Sequence, residues 1–150
     1  MLTEINPPTD TRYFIVKSFN HDNVIHAQRD GIWATQEKNA EMFSEAFNTA
    51  RDVILIFSVN KSGKFQGYAR MESAPGTAEM PLWTKGLLWQ SSGAFYIRWI
   101  TICDVGFYHL AKLLNRMNED QPVFIGRDGQ EIDPETGAKL CSIVDEGRIQ

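Results

Sequence analysis

The sequence predicts a mixed α/β domain, and three observations carry that expectation. Aromatic and β-branched residues gather in short runs at 12–17 (RYFIVK), 53–59 (VILIFSV), 64–71 (KFQGYARM) and 95–102 (FYIRWITI), the composition of strands. Between the first two runs, Ala40, Phe43, Ala46, Phe47 and Ala50 recur at helical spacing. With 150 residues, 43% of them hydrophobic, the chain is long enough to bury one real core.

Taken in order, residues 1–11 carry Pro7 and Pro8 without periodicity and read as a linker or tail before a domain at 12–147. The run 12–17 reads as a buried strand. Asn20 or Asp22 is placed to cap a short helix over 23–30, which Gly31 closes. Thr35 is a candidate cap for a second helix over about 36–50. The strands 53–59 and 64–71 flank Asn60, Lys61, Ser62 and Gly63, a strong hairpin signal. From 72 to 94 the pattern breaks at Pro75, Gly76, Pro81, Gly86 and Gly93. An irregular segment of that length is usually functional or disordered, and the tryptophans at 83 and 89 favour function. A strand follows at 95–102, a short one at 123–126 (VFIG), and a final helix from 134 to 146, where Gly137 is an unfavourable interior residue.

Composition narrows the function. No stretch approaches eighteen apolar residues, so no membrane span is expected. The opening MLTEINPPTD is acidic and polar, which argues against a signal peptide. Cys103 and Cys141 form neither a disulfide framework nor a zinc pattern, and read as free thiols of a reducing compartment. Asn60 begins a glycosylation sequon that is discounted because no secretion signal is expected. The net charge of −4 argues against tight duplex binding. Acidic residues nonetheless cluster at 22–52, around Glu119 and in the C-terminal tail. Lys17, Lys61, Lys64, Lys85, Arg98 and Arg127 leave room for a local basic rim.

Four ordered blocks carry more: KSFNHDN at 17–23, GIWAT at 31–35, VILIFSVNKSGKFQG at 53–67 and PVFIGRDGQE at 122–131. In order and spacing they resemble the YTH family, domains that bind N6-methyladenosine in RNA. The resemblance runs from about Arg12 to Cys141. It implies a curved, barrel-like sheet with helices packed around it, no cofactor and no metal. GRDGQE and the form of the tryptophan loop resemble nuclear or polyadenylation-factor members more than the cytoplasmic group. The resemblance thus implies a nuclear location, with the cytoplasm as the alternative.

The same resemblance implies roles for individual residues. Trp33 and Trp83 match two walls of the cage around the methylated base. Trp89 is the candidate third wall, with Leu87 or Leu88 as alternatives. Trp33 is expected to contribute little to the core, and Trp99 to be core packing. Asn23 matches the side chain that bonds an adenine ring nitrogen. The Ala34 carbonyl matches the acceptor for the exocyclic N–H, and the Phe19 main chain a further base-edge contact. Lys17 and Arg127 match residues on the RNA backbone, with Asp128 beside them.

Taken without the family, each feature has a plainer explanation: tryptophans pack cores, Asn23 sits where turns favour asparagine, and lone cations are usually solvated. Catalytic motifs fail on inspection. SVNKSGKF lacks the leading glycine of a phosphate loop and has Phe65 where Ser or Thr is required. His21, His26 and His109 have no metal spacing. The expected activity is therefore that of a non-enzymatic reader whose partner is single-stranded RNA containing N6-methyladenosine, protein partners being bound by regions outside the domain. Two rivals remain: a general RNA or modified-DNA binding module without methyl selectivity, and a nucleobase-acting enzyme.

Overall fold

The computed structural model describes residues 10–86 and 91–149. Its centre is a six-stranded sheet built from β1 (Thr11–Ser18), β2 (Ile32–Gln36), β3 (Asp52–Val59), β4 (Lys64–Met71), β5 (Ser91–Gly106) and, beyond a small pair β6 (Leu114–Asn115) and β7 (Gln121–Pro122), β8 (Glu131–Ile132). The spatial order is β2-β5-β4-β3-β1-β8. The expected mixed class holds, but the sheet does not close into a barrel, since β2 and β8 are its two ends.

β1 and β3 run parallel, in register from Thr11 opposite Asp52 to Ser18 opposite Val59. The connection between them holds α1 (His21–Asp30), β2 and α2 (Glu37–Thr49). The remaining pairs in the sheet are antiparallel. Period-two alternation sends Phe14, Val16, Val53, Leu55 and Phe57 into a core with α1, α2 and β2. Ile15, Ile54 and Ile56 enter a second core with α3 (Pro134–Ile149). A strand buried on both faces needs a continuous apolar run, which is why VILIF shows no alternation.

Several expectations need correction. α1 starts at His21, two residues early, because Asn20 rather than Asp22 caps it, its side chain accepting from the Asn23 N–H. Thr35 is not the N-cap of α2: it is a buried residue of β2, and the cap position falls to Gln36, whose side chain makes no cap bond. β2 itself escaped the reading because its five residues are too few to show alternation. VFIG is a turn, not a strand. Val123 is fully buried and donates to the Leu113 carbonyl, while Ile125 donates back to Pro122; its hydrophobicity serves burial rather than pairing. Thr11, assigned to the tail, already pairs in β1. Gly137 lies inside α3 where the helix meets β1, and a Cβ there would run into the Tyr13 ring. The close approach explains a residue that helix propensity disfavours.

Candidate functional site

The site grows from the turn after α1. Gly31 takes the left-handed conformation (φ 66°), and its N–H caps the helix on the Ala27 carbonyl; a Cβ is disfavoured there. The chain emerges as β2 beside β5, with Trp33 opposite Phe95 and Ala34 opposite Ala94. A register shift follows between Ala34 and Gln36.

Trp33 is only 4% exposed and meets Phe57 edge-on at 5.1 Å. It belongs to the core shared with α1 and α2, which corrects the expectation that it contributes little there. Trp83 stands in a 3₁₀ turn at Leu82–Gly86, with its ring centre 6.0 Å from that of Trp33 and the planes 42° apart. The two indoles therefore form a wedge. Trp83 also stacks on His26 at 5.7 Å and donates its Nε1–H to Asp30 Oδ2 at 3.2 Å. Trp99 takes its expected packing role, 4.6 Å from Phe57, with its indole N–H on the Ala27 carbonyl. Trp89, Leu87 and Leu88 lie outside the described residues.

Asn23 is buried in the first turn of α1. Its backbone N–H is taken by the Asn20 cap, and its amide shows no partner among the described residues. Ala34 is buried with Ala78 and Ala94.

A groove of about 460 Å³ opens at the carboxyl ends of β1 and β3, lined by Lys17, Phe19, Gln36, Lys38, Asn60, Gly126, Arg127 and Asp128. The Asn60 N–H bonds the Ser18 carbonyl and holds the two strand ends together. Phe19 is 54% exposed, so its ring faces solvent rather than the core. Arg127 and Lys38 are exposed at the rim. Lys17 lies partly over the Phe107 ring, at 5.4 Å. Burial lowers its ammonium pKa, and the Asp128 charge opposes that shift.

Asp128 differs from its neighbours. Its Oδ1 accepts the Lys17 backbone N–H at 2.8 Å, and its Oδ2 accepts Gln36 Nε2 and Asn39 Nδ2, both at 3.1 Å. The carboxylate thus ties β1, β2 and α2 to the loop that carries Arg127. Burial pushes its pKa up, and these hydrogen bonds pull the other way. Gln36, Lys38 and Asn39 were not singled out from the sequence. Their polar pattern reads as an ordinary helix start, and only the tertiary fold brings them to the groove.

Across the sheet, a hollow of about 420 Å³ contains Tyr68, Arg70 and Asp145. Its polar groups are already engaged: Tyr68 with Asp145, and Arg70 with Asp52. Among the described residues no cluster of His, Cys, Asp and Glu is arranged to hold a metal ion, and no helix is long and apolar enough to cross a membrane.

Comparisons with known proteins bear on the same region. The family model for the YTH, or YT521-B-like, domain matches residues 11–145. YTH domain-containing protein 1 of Drosophila melanogaster is 42% identical over 146 residues, 91% of this chain and 20% of the relative. The 30-kDa cleavage and polyadenylation specificity factor 30 of Arabidopsis thaliana is 38% identical, over 92% of this chain and 22% of its own length. The chain thus spans about a fifth of these relatives. Among solved structures, the Toxoplasma CPSF4 YTH domain in complex with a 7-mer m6A-modified RNA superposes with a TM-score of 0.84 at 35% identity, covering 93% of this chain and 94% of that one. The YTH domain of Zygosaccharomyces rouxii MRB1, in complex with N6-methyladenosine RNA, gives 0.81 at 29% identity, covering 96% and 93%.

Proposed function

Since the chain belongs to the YTH family, we propose that it is a reader of N6-methyladenosine in single-stranded RNA. The observation that carries this is the wedge of Trp33 and Trp83, on a chain that also presents a groove lined by Lys17, Lys38 and Arg127. The methylated base enters between the two indoles, with Trp89, Leu87 or Leu88 as the third wall. Two stacking contacts need ring planes about 7 Å apart, against 6.0 Å and a 42° tilt here. Rings with centres this close leave too little room, so Trp83 backs off and turns toward parallel as the base enters.

The base is neutral, so the cage acts through stacking and methyl burial rather than full cation–π attraction. Stacking on one indole contributes ~1–3 kcal/mol, and burying the methyl about 0.8 kcal/mol. With a tight fit, selectivity over plain adenosine is on the order of 10–200-fold. Indoles do not distinguish bases, so the edge is read by the Asn23 amide, the Ala34 carbonyl and the Phe19 main chain. Lys17 and Arg127 take the flanking phosphates. Single strands suit the site because an unpaired base is cheaper to extrude.

The domain binds and does not turn over its ligand. The names of relatives point to RNA processing, and we place the protein in the nucleus rather than the cytoplasm on that ground. Polarisation titrations with a methylated oligomer and its unmethylated twin test the proposal. Tighter binding of the methylated strand, with the strand recovered unchanged, is the expected result. Equal affinities indicate a general RNA-binding module, and loss of the methyl group or base indicates an enzyme.

A further inference from the structure

Trp83 is held by two residues that have no place in base recognition itself. His26 and Asp30 are one turn apart on α1, so their side chains share a face. His26 stacks on the Trp83 ring at an interplanar angle of 23°, and Asp30 Oδ2 accepts the indole N–H. We propose that His26 and Asp30 are positioning residues for the cage, forming a brace on α1 that presets its loop wall. This rests on the reader function proposed above and adds a source of methyl selectivity outside the cage.

Three observations converge on the brace. First, the turn that carries Trp83 closes on itself, Thr84 bonding Pro81 through both its N–H and its hydroxyl. The Trp83 ring reaches out of this turn to α1 and to Trp33. A wall on an irregular segment loses conformational freedom when a ligand orders it, and a contact made in advance removes that cost.

Second, Asp30 is badly placed for its own helix. A carboxylate in the last turn opposes the helix dipole, so helix stability does not account for it. Arg29 bonds the same carboxylate and, as the largest influence, keeps its pKa below the usual aspartate value, so the acceptor is charged. Third, His26 Nδ1 is buried with no hydrogen-bond partner among the described residues. The imidazole is held there by ring contact rather than by a polar bond.

The geometry also permits the motion that a base requires. One hydrogen bond at the nitrogen edge of the indole acts as a pivot. The ring can turn from its 42° tilt toward parallel without leaving Asp30.

The test measures affinities for the methylated oligomer and its unmethylated twin in the intact protein, with thermal melting alongside. Asp30→Ala should weaken methylated RNA roughly three- to tenfold, about the worth of one partly exposed hydrogen bond to a charged group. Unmethylated RNA should weaken less, so the ratio shrinks, while the melting temperature holds. His26→Ala should act in the same direction. Asp30→Asn keeps a carbonyl oxygen to accept the indole N–H and should restore most of the ratio. Arg29→Ala removes only the exposed ion pair and should leave the ratio unchanged. An unchanged ratio in both Asp30→Ala and His26→Ala overturns the brace, and so does tighter binding, which would make the contact an obstacle to the base. Trp83→Ala separates the two failures. If it also binds normally, the cage is wrong; if it alone loses binding, only the brace is.

Discussion

Replacing Trp33 and Trp83 by alanine, one at a time, should separate folding from recognition. Trp33 is 4% exposed, packed edge-on to Phe57 and surrounded by residues from α1, α2 and the sheet. Truncating an aromatic in such a place costs about 3–5 kcal/mol, from lost transfer and the cavity left behind. Against a total stability of roughly 5–15 kcal/mol, that is a large loss, and a fraction of the molecules is expected to unfold. Trp83 is only half-buried on an irregular turn, and its removal should cost roughly 1–2 kcal/mol. In binding the order changes. Each indole that stacks on a base contributes ~1–3 kcal/mol, so Trp83→Ala should weaken methylated RNA about 5- to 150-fold with the fold intact. Trp33→Phe keeps a ring against Phe57 and becomes the usable probe of the inner wall, weakening binding with a smaller stability loss. Urea denaturation followed by far-UV circular dichroism gives the stabilities, and polarisation titrations give the affinities. Equal urea midpoints for Trp33→Ala and wild type would show that Trp33 is not core. Normal binding by Trp83→Ala would show that the wedge is not the base pocket.

Arg127→Ala should weaken methylated and unmethylated RNA by a similar factor and flatten the log–log salt dependence by about 0.7, as for one phosphate contact on a single strand; an effect confined to methylated RNA would move Arg127 into the pocket. Asn23→Asp should bind with a stronger preference for acidic pH, because an ionised carboxylate faces the ring nitrogen with two acceptors and no proton; identical pH profiles of variant and wild type would remove Asn23 from the base. Burial pushes the Asp128 carboxyl up, so the folded state holds that proton more tightly than the unfolded chain. The resulting stabilisation is complete below the ordinary aspartate value of about 3.9 and is lost as pH rises through the folded value. Urea midpoints of wild type relative to Asp128→Asn should therefore fall from about pH 4 upward across the acidic range, and a constant difference would refute the buried carboxylate.

What the sequence determined by itself was whatever local chemistry dictates. The hairpin at 60–63, the Gly31 cap and the apolar face of α2 follow from turn residues and periodicity, and all three are present. The tryptophans proposed for the cage were visible as residue types at family positions, since motif order does not depend on where the chain folds. Tertiary structure decided the rest. Ile32, Trp33, Ala34 and Gln36 of β2 pair because β5 lies beside them, not because of any pattern of their own. Thr35, a sound cap by chemistry, is instead a buried residue of β2, and VFIG was overridden by the need to bury Val123. Residue 128 is distant in sequence from 36 and 39, yet its carboxylate joins them. The brace of His26 and Asp30 on Trp83 crosses more than fifty residues. Contacts of that range leave no periodic trace, because they are set by which faces the sheet brings together rather than by any neighbour along the chain.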